Sequence, residues 1–300
     1  MELRSLIHSP LNYTGGKFKI LKDIVPLFPE GVETFVDLFA GGLNVGINVI
    51  AERVIANDQL SFLIGLYRFF QGTKWDDLKS RIHGRIAELE LTQENEKGYL
   101  ELRRQYNETH EPLDLFLLTC YAFNHQIRFN SKHEFNTSFG KDRSSYNKSI
   151  EANLAEFVRR LQTNNITLRS GDFLGVPVLE LSERDFVYCD PPYLISTGSY
   201  NDGKRGFKDW TEKEEGELLG LLDAVNERGI KFALSNVFAH KGMQNEMLIE
   251  WARKYEVNYI DKKYSNCSYH FKDRGTETVE VLVTNYKPER GTRPTQMTLL

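Results

Sequence analysis

Cysteine is scarce in this 300-residue chain: Cys120, Cys189 and Cys267 are too few and too scattered for a disulfide framework or a thiolate zinc site. Long apolar runs are missing too, and none approaches the roughly 20 residues a bilayer-spanning helix needs. There is no basic excess: 38 Lys and Arg face 42 Asp and Glu, a formal charge of −4. That excludes a generally basic nucleic-acid binder. A locally basic groove stays open, because phosphate contact depends on where the charge sits. The seven histidines never fall at H-x-x-x-H spacing, so no metal is expected. The dinucleotide fingerprint G-x-G-x-x-G is absent, which counts against a dehydrogenase, and no G-K-[ST] follows the glycine-rich turn, so there is no P-loop. Met1 to Pro10 lacks a charged-then-apolar signal pattern, and a cytoplasmic protein is the expectation.

What is present is a globular composition, 40% hydrophobic and 12% aromatic, organised as alternating strands and helices. Residues 34–38 read as a strand running into the glycine turn Phe39-Ala40-Gly41-Gly42, with a helix expected after it. Residues 53–57 read as a second strand, closed by Asp58. The stretch from about Leu60 to Phe123 is helix-rich, and Leu113 to Phe123 is apolar enough to be a buried helix. From Asn124 to Lys148 the composition turns polar. Five cations stand against Glu134 and Asp142 there, a local charge of +3, and an irregular loop region is expected. Strands follow at 166–168 and 185–189. Thr211 and Glu214 form a capping box at the start of a helix that Gly229 stops. A strand at 230–234 ending in Ser235-Asn236, a helix at about 240–254, and strands at 257–261 and 278–284 complete the pattern. In open α/β sheets ligands bind outside the carboxyl ends of strands. Asp37, Asp58, Asp172, Asp190 and Asn236 are all expected there.

Two of these places carry chemistry. Glycines at Phe39 to Gly46 let a ligand approach the backbone, a helix N-terminus after them would favour negative charge, and Asp58 after the second strand suits ribose hydroxyls. Asp190-Pro191-Pro192-Tyr193 is the sharper signal. Two prolines fix an extended backbone and remove two amide donors, leaving the Asp190 carboxylate and the Pro191 carbonyl as rigid neighbouring acceptors. Two acceptors match the two hydrogens of an amino group. On a nucleobase that group's lone pair is delocalised into the ring, and drawing both hydrogens toward acceptors aims the lone pair at an electrophile. Tyr193 adds an aromatic face. Cys189 reads as a buried strand thiol with no His beside it.

The chain resembles the Dam-type (D12 class) DNA adenine-N6 methyltransferases. The resemblance runs through Asn12-Tyr13-Thr14-Gly15-Gly16-Lys17, Phe35 to Gly42, Asn57-Asp58, Ile127 to Asn130 with Glu134 to Asn136 and Phe139-Gly140, Gly171-Asp172-Phe173, Asp190 to Tyr193, and Thr278 to Tyr286. It implies a Rossmann-like methyltransferase sheet of seven strands, one antiparallel, with an inserted mainly helical DNA-recognition domain. Residues 1–59 and 165–286 would form the catalytic domain, 60–164 the insert, and 287–300 a flexible tail. S-adenosylmethionine is the implied cofactor. Tyr13 and Lys17 would contact its methionine end, with Asp37, Phe39, Ala40 and Gly41 around the glycine turn. Asp58 would hold the ribose, and Asp172 and Phe173 the adenine, with Asp190 also counted among the residues at the cofactor. Asp190, Pro191, Pro192 and Tyr193 would hold a target adenine flipped out of duplex DNA. Arg128, Asn130 and Asn136 have the forked side chains that read base edges. Lys132, Lys141 and Arg143 would hold phosphates. Arg274, in a basic turn with Lys262, Lys263 and Lys272, reads either as solvated surface or as a further phosphate contact. The implied partner is double-stranded DNA, with a restriction endonuclease as possible functional pair, and a monomer is expected. The rival readings are a cytosine-N4 methyltransferase of the same fold and a non-catalytic DNA-binding module.

Overall fold

The computed structural model describes residues 6–13, 15–195, 210–260 and 278–288. Among these, the strands are β1 (Thr34–Asp37), β2 (Arg53–Asp58), β3 (Ile166–Ser170), β4 (Phe186–Cys189), β5 (Lys231–His240), β6 (Met243–Gln244), β7 (Glu256–Tyr259) and β8 (Val279–Thr284). The α-helices are α1 (Leu21–Ile24), α2 (Ser61–Gly72), α3 (Trp75–Glu88), α4 (Glu96–Thr109), α5 (Pro112–Tyr121), α6 (Lys148–Thr163), α7 (Glu212–Glu227) and α8 (Glu246–Ala252).

The sheet order is β3-β2-β1-β4-β5-β8-β7, and β6 pairs with β5 alone. β1, β2, β3, β4 and β5 run parallel, while β8 runs antiparallel to both β5 and β7. From β1 the chain winds outward to β2 and β3, then returns to place β4 on β1's other side. The order therefore reverses between β1 and β4. That opens a crevice at their carboxyl ends, between Asp37 and Asp190.

Alternation within the strands divides the core. Phe35, Phe186 and Tyr188 point to one face, into a cluster with α2, α4, α5 and α6. Val36, Val187 and Cys189 point to the other, against Leu218, Leu219, Leu222 and Val225 of α7 and Leu248 of α8. A sheet covered on both faces needs strands apolar on both faces, and β1 and β4 are buried throughout. On α2 the buried residues Leu63, Ile64, Leu66, Tyr67 and Phe70 form one helical face. On α6, Asn147 caps the start by accepting from Ser149 and Ile150 N–H, and Leu154, Phe157, Val158 and Leu161 make the stripe. Residues Leu113 to Tyr121 of α5 are all buried, as their composition implies. The capping box at Thr211 forms as expected, with Gly229 beyond the helix at φ +72°. No described helix is long and apolar enough to cross a membrane.

Four local expectations change. The glycine turn does not open into a regular helix. Leu43 and Gly41 take positive φ (58° and 46°), and residues 44–48 continue as turns, so no regular helix follows the glycine turn. β5 does not stop at Leu234, because apolar Val237 and Phe238 carry it on and β8 pairs with it as far as Ala239. Asn236 thus lies within the strand, opposite Val281, instead of at its carboxyl end. The helix expected from residue 240 starts only at Glu246, since Lys241 and Gly242 (φ 49° and 82°) turn the chain back into β6. Finally, residues 128–136 are not irregular. Asn130 N–H donates to the Glu134 carbonyl at 2.9 Å and Asn136 N–H to the Arg128 carbonyl at 3.0 Å, closing a short hairpin. Phe129 and Phe135 pair across it, both buried, with the Phe129 ring 4.6 Å from that of Phe62 and tilted by 45°. Alternate positions Arg128, Lys132, Glu134 and Asn136 are exposed. Sequence inspection missed the hairpin because its pairing is two residues deep and its turn carries no glycine.

Candidate active site

At the crevice the glycine turn is held from beneath. Ala40 N–H donates to the Asn57 carbonyl at 2.8 Å, and Tyr67 OH donates to the Gly41 carbonyl at 2.8 Å. A Cβ on Gly41 would meet the Tyr13 ring at 3.1 Å, and its φ of +46° also disfavours a side chain. Asp58, at the end of β2, accepts Gly41 N–H at 2.8 Å on one oxygen and Leu60 N–H at 2.9 Å on the other. Those bonds hold its carboxyl down, but burial outweighs them and pushes it above the ordinary value. Asp37 is 1% exposed and accepts Gly46 N–H at 2.9 Å. Burial, with Asp190 and Asp58 nearby, pushes its carboxyl up to about 7.

The next element over is β4, whose end carries Asp190. Lys17 Nζ lies 2.8 Å from Asp190 Oδ1 and donates to the Gly15 carbonyl at 3.2 Å. Tyr193 OH donates to the same Asp190 oxygen at 3.2 Å, and Lys17 stands 4.9 Å above the Tyr193 ring. Glu280, from β8, approaches the group: its Oε1 is 3.9 Å from Lys17 Nζ and accepts from Tyr193 OH at 3.5 Å. Burial pushes the Asp190 carboxyl above its ordinary value, and the Lys17 ammonium and the Tyr193 hydroxyl offset part of that rise. Opposite, Phe39, Phe173 and Trp210 form an aromatic wall with centroids 5.3 to 5.8 Å apart. Asp172 caps the short turn below it by accepting Leu174 N–H at 3.0 Å.

The expected catalytic and cofactor residues converge. Tyr13, Lys17, Asp37, Phe39, Ala40, Gly41, Asp58, Asp172, Phe173 and Asp190 to Tyr193 all line one cleft. Lys17 is directed at Asp190, a role the sequence did not suggest. The expected DNA contacts lie elsewhere. Arg128, Lys132 and Asn136 are exposed on the hairpin, whose preceding residue, Ile127, reaches the cleft rim. Asn130 is committed to its own turn: Oδ1 accepts Lys132 and Glu134 N–H, and Nδ2 donates to the Glu134 carboxylate at 2.7 Å. Little of its amide is left to read a base. Lys141 is exposed, and Arg143 is exposed with its guanidinium 5.0 Å over the Phe123 ring. Arg274 lies outside the described residues, as do Lys262, Lys263 and Lys272. Sequence reasoning missed Trp210 and Glu280. Trp210 adjoins the capping box at Thr211, and that adjacency was the available signal. Glu280 had none, since a single acid in an apolar strand looks like an exposed edge position.

The model of the D12 class N6 adenine-specific DNA methyltransferases matches residues 13–270. The type II methyltransferase M.FokI of Planomicrobium okeanokoites is 48% identical over 282 residues, 94% of this chain and 43% of that protein. The modification methylase StsI of Streptococcus sanguinis is 46% identical over 286 residues, 95% of this chain and 44% of that protein. The DNA adenine methylase of Escherichia coli K12 is 28% identical over 284 residues, 93% of this chain and 95% of that protein. The chain thus spans less than half the length of the first two relatives and nearly all of the third. With its motifs gathered in one cleft and matched along most of its length, this chain belongs to the D12 class N6 adenine-specific DNA methyltransferase family.

Proposed function

We propose that this chain moves a methyl group from S-adenosylmethionine to the N6 amino group of an adenine at a specific site in double-stranded DNA. The observation that carries the reading is the Asp190 carboxylate, held by Lys17 and Tyr193 beside two prolines at the crevice between β1 and β4. The cleft fits the cofactor on three counts. Each Asp58 oxygen has spent one bond on a backbone N–H and keeps acceptor capacity for a ribose hydroxyl. Phe39, Phe173 and Trp210 offer an apolar wall to an adenine ring. Asp37, Asp58, Asp172 and Asp190 line the cavity against Lys17, with Glu280 3.9 Å behind that lysine, an acidic surround suited to a sulfonium. When bound, the cofactor supplies an activated methyl group, so the protein's work is positioning.

The target base must leave the helix, because its amino group otherwise faces its pairing partner. Asp190 and the Pro191 carbonyl then accept the two amino hydrogens and turn the nitrogen lone pair outward. Lys17 and Tyr193 fix the carboxylate that does this. Residues 60–164 serve recognition in this reading, and 1–59 with 165–286 serve catalysis, with 287–300 as a tail. Arg128 and Asn136, side by side on the hairpin's outer face, are the base readers, and Asn130 shapes the turn between them. Lys132, Lys141 and Arg143 hold phosphates, with Arg274 as a further phosphate contact. Relatives named as modification methylases support a role in protecting DNA alongside a restriction endonuclease, and in this reading the enzyme is a cytoplasmic monomer.

The test is incubation of the protein with duplex DNA and methyl-tritiated S-adenosylmethionine, followed by nucleoside analysis. Label in N6-methyladenine is expected. Label in N4-methylcytosine would transfer the reading to the cytosine enzymes, and DNA binding without label would leave a non-catalytic module.

A further inference from the structure

Glu215 is a carboxylate with no access to solvent and no part in the chemistry above. It lies in the first turn of α7 and draws three side-chain donors from three parts of the fold. Trp210 Nε1–H donates to its Oε2 at 2.6 Å. Asn236 Nδ2, from the middle of β5, and Asn245 Nδ2, at the start of α8, donate to its Oε1 at 3.2 and 3.0 Å. Both asparagines are locked in orientation. Asn236 Oδ1 accepts Val237 N–H at 2.8 Å, and Asn245 Oδ1 caps α8 by accepting Leu248 N–H at 3.1 Å. Neither amide can flip without losing a backbone bond in a buried place. The indole can only donate. All three partners therefore present hydrogens, and the only group of this shape that accepts on both ends is an ionised carboxylate.

Trp210 is the one of these partners that reaches the cleft, where it completes the wall with Phe39 and Phe173. We infer that Glu215 is a positioning residue for cofactor binding: its carboxylate sets the plane of the Trp210 indole and ties the aromatic wall to β5 and to the start of α8. The inference rests on the reading of that wall as the cofactor's adenine site. It separates Glu215, which acts through Trp210, from Asp190, which serves the target base. Affinity for the cofactor should thus depend on Glu215 while turnover at saturating cofactor does not.

The polarity of the site supplies the test. Glu215→Gln keeps the shape but has one accepting end. With its oxygen toward the asparagines, its amide hydrogens confront the indole N–H, and the ring is displaced. Trp210→Phe removes the confronting hydrogen, so the double variant relieves the conflict. Titration calorimetry with S-adenosylmethionine and apo thermal unfolding would be measured on wild type, Trp210→Phe, Glu215→Gln and the double variant. Glu215→Gln is expected to weaken binding about 5- to 20-fold with kcat at saturating cofactor within about twofold of wild type. The double variant is expected to bind within about twofold of Trp210→Phe alone. Wild-type affinity in Glu215→Gln, or losses that multiply in the double variant, would overturn the inference. If Trp210→Phe binds normally and the pair is coupled in apo unfolding alone, the cofactor reading of the wall fails and takes the inference with it. Should Glu215→Gln prove insoluble, recovery of folded protein in the double variant supports the polarity argument, and equal insolubility refutes it.

Discussion

Among the described residues, the Asp190 carboxylate has one close cation, Lys17 at 2.8 Å, and one hydroxyl donor, Tyr193. Cutting it back to Ala should leave the turn in place, since two prolines fix the backbone whatever precedes them. Removing a group aimed at the reacting centre commonly costs about 10²–10³ in rate. Asp190→Ala should therefore lose methylation while keeping most of its cofactor affinity, and single-turnover transfer with calorimetry separates the two. Near-normal turnover would sink the mechanism. Asp37 makes a different kind of prediction. Its carboxyl is pushed from 3.8 up to about 7 by burial beside Asp190 and Asp58. Below about pH 4 the group is protonated folded and unfolded alike. Between about 4 and 7 only the unfolded chain ionises, so unfolding releases a proton and stability falls as pH rises. Above about 7 the folded form ionises too and the loss levels off. At about 1.4 kcal/mol per unit the total is about 4 kcal/mol. Asp37→Asn still accepts from Gly46 but does not titrate. Urea unfolding of the apo protein at pH 5 and pH 8 should show a markedly smaller decline in the variant. An equal decline would assign the pH dependence to other groups.

Among the elements, α4 tests packing against propensity. Gly98 lies in its first turn, where Asn95 caps by accepting Gly98 N–H at 3.1 Å. Propensity alone favours Ala over Gly by about 1 kcal/mol. Yet a Cβ at Gly98 would stand 2.2 Å from the Leu89 carbonyl oxygen, which is backbone and cannot swing aside. Overpacking of this kind costs about 1–3 kcal/mol, and the end of α3 would have to move. Gly98→Ala is expected to destabilise by roughly 1–2 kcal/mol in urea, and a stabilised variant would mean α3 and α4 yield easily. The hairpin at 128–136 makes the functional counterpart. If Arg128 reads a base, Arg128→Ala should relax discrimination at one position of the site by about 1–3 kcal/mol; a phosphate contact would weaken every sequence alike and flatten the salt slope. Wild-type preference across site variants would remove Arg128 from the readers. Elements of this kind also mark how far the sequence could be read. α7 was legible because Thr211, Glu214 and Gly229 each state a boundary. β5 and α8 were misjudged, because the strand's extension depends on β8, 39 or more residues away in the chain, and the turn at Lys241-Gly242 depends on positive φ that only one glycine announces. The cleft was legible as separate acids at strand ends. Its Lys17–Asp190 pairing and its Trp210 wall were not, since both are made by residues far apart in sequence.

At the scale of the whole molecule, the cleft ties together chain from Tyr13 and Lys17, the glycine turn, Asp58, Asp172, Asp190 to Tyr193 and Trp210. These come from the carboxyl ends of four strands, β1 to β4, and from two segments at the starts of helical stretches, on both sides of the point where the sheet order reverses. A ligand that binds there joins segments that unfolding would separate, and so it stabilises the native state by mass action. At a cofactor concentration about 100 times Kd the gain is about 2.7 kcal/mol. With an unfolding entropy of about 2.1 cal/mol/K per residue, a 300-residue chain should rise in Tm by about 4 °C. Asp190→Ala should keep that shift, because its carboxylate is assigned to the target base. Asp58→Ala should lose charge-assisted bonds to the ribose worth roughly 1.5–3 kcal/mol, a tenfold or greater loss of affinity. At the same cofactor concentration its shift should shrink to about 2 °C or less. The comparison is between the shifts and not the apo values. Asp58 also accepts from Gly41 and Leu60 N–H, so its removal will lower the apo Tm by itself. Scanning calorimetry of the three proteins with and without S-adenosylmethionine makes the measurement. A full shift in Asp58→Ala would reduce Asp58 to a clamp on the glycine turn. A vanished shift in Asp190→Ala would place the cofactor across β4 instead of beside β1 and β2.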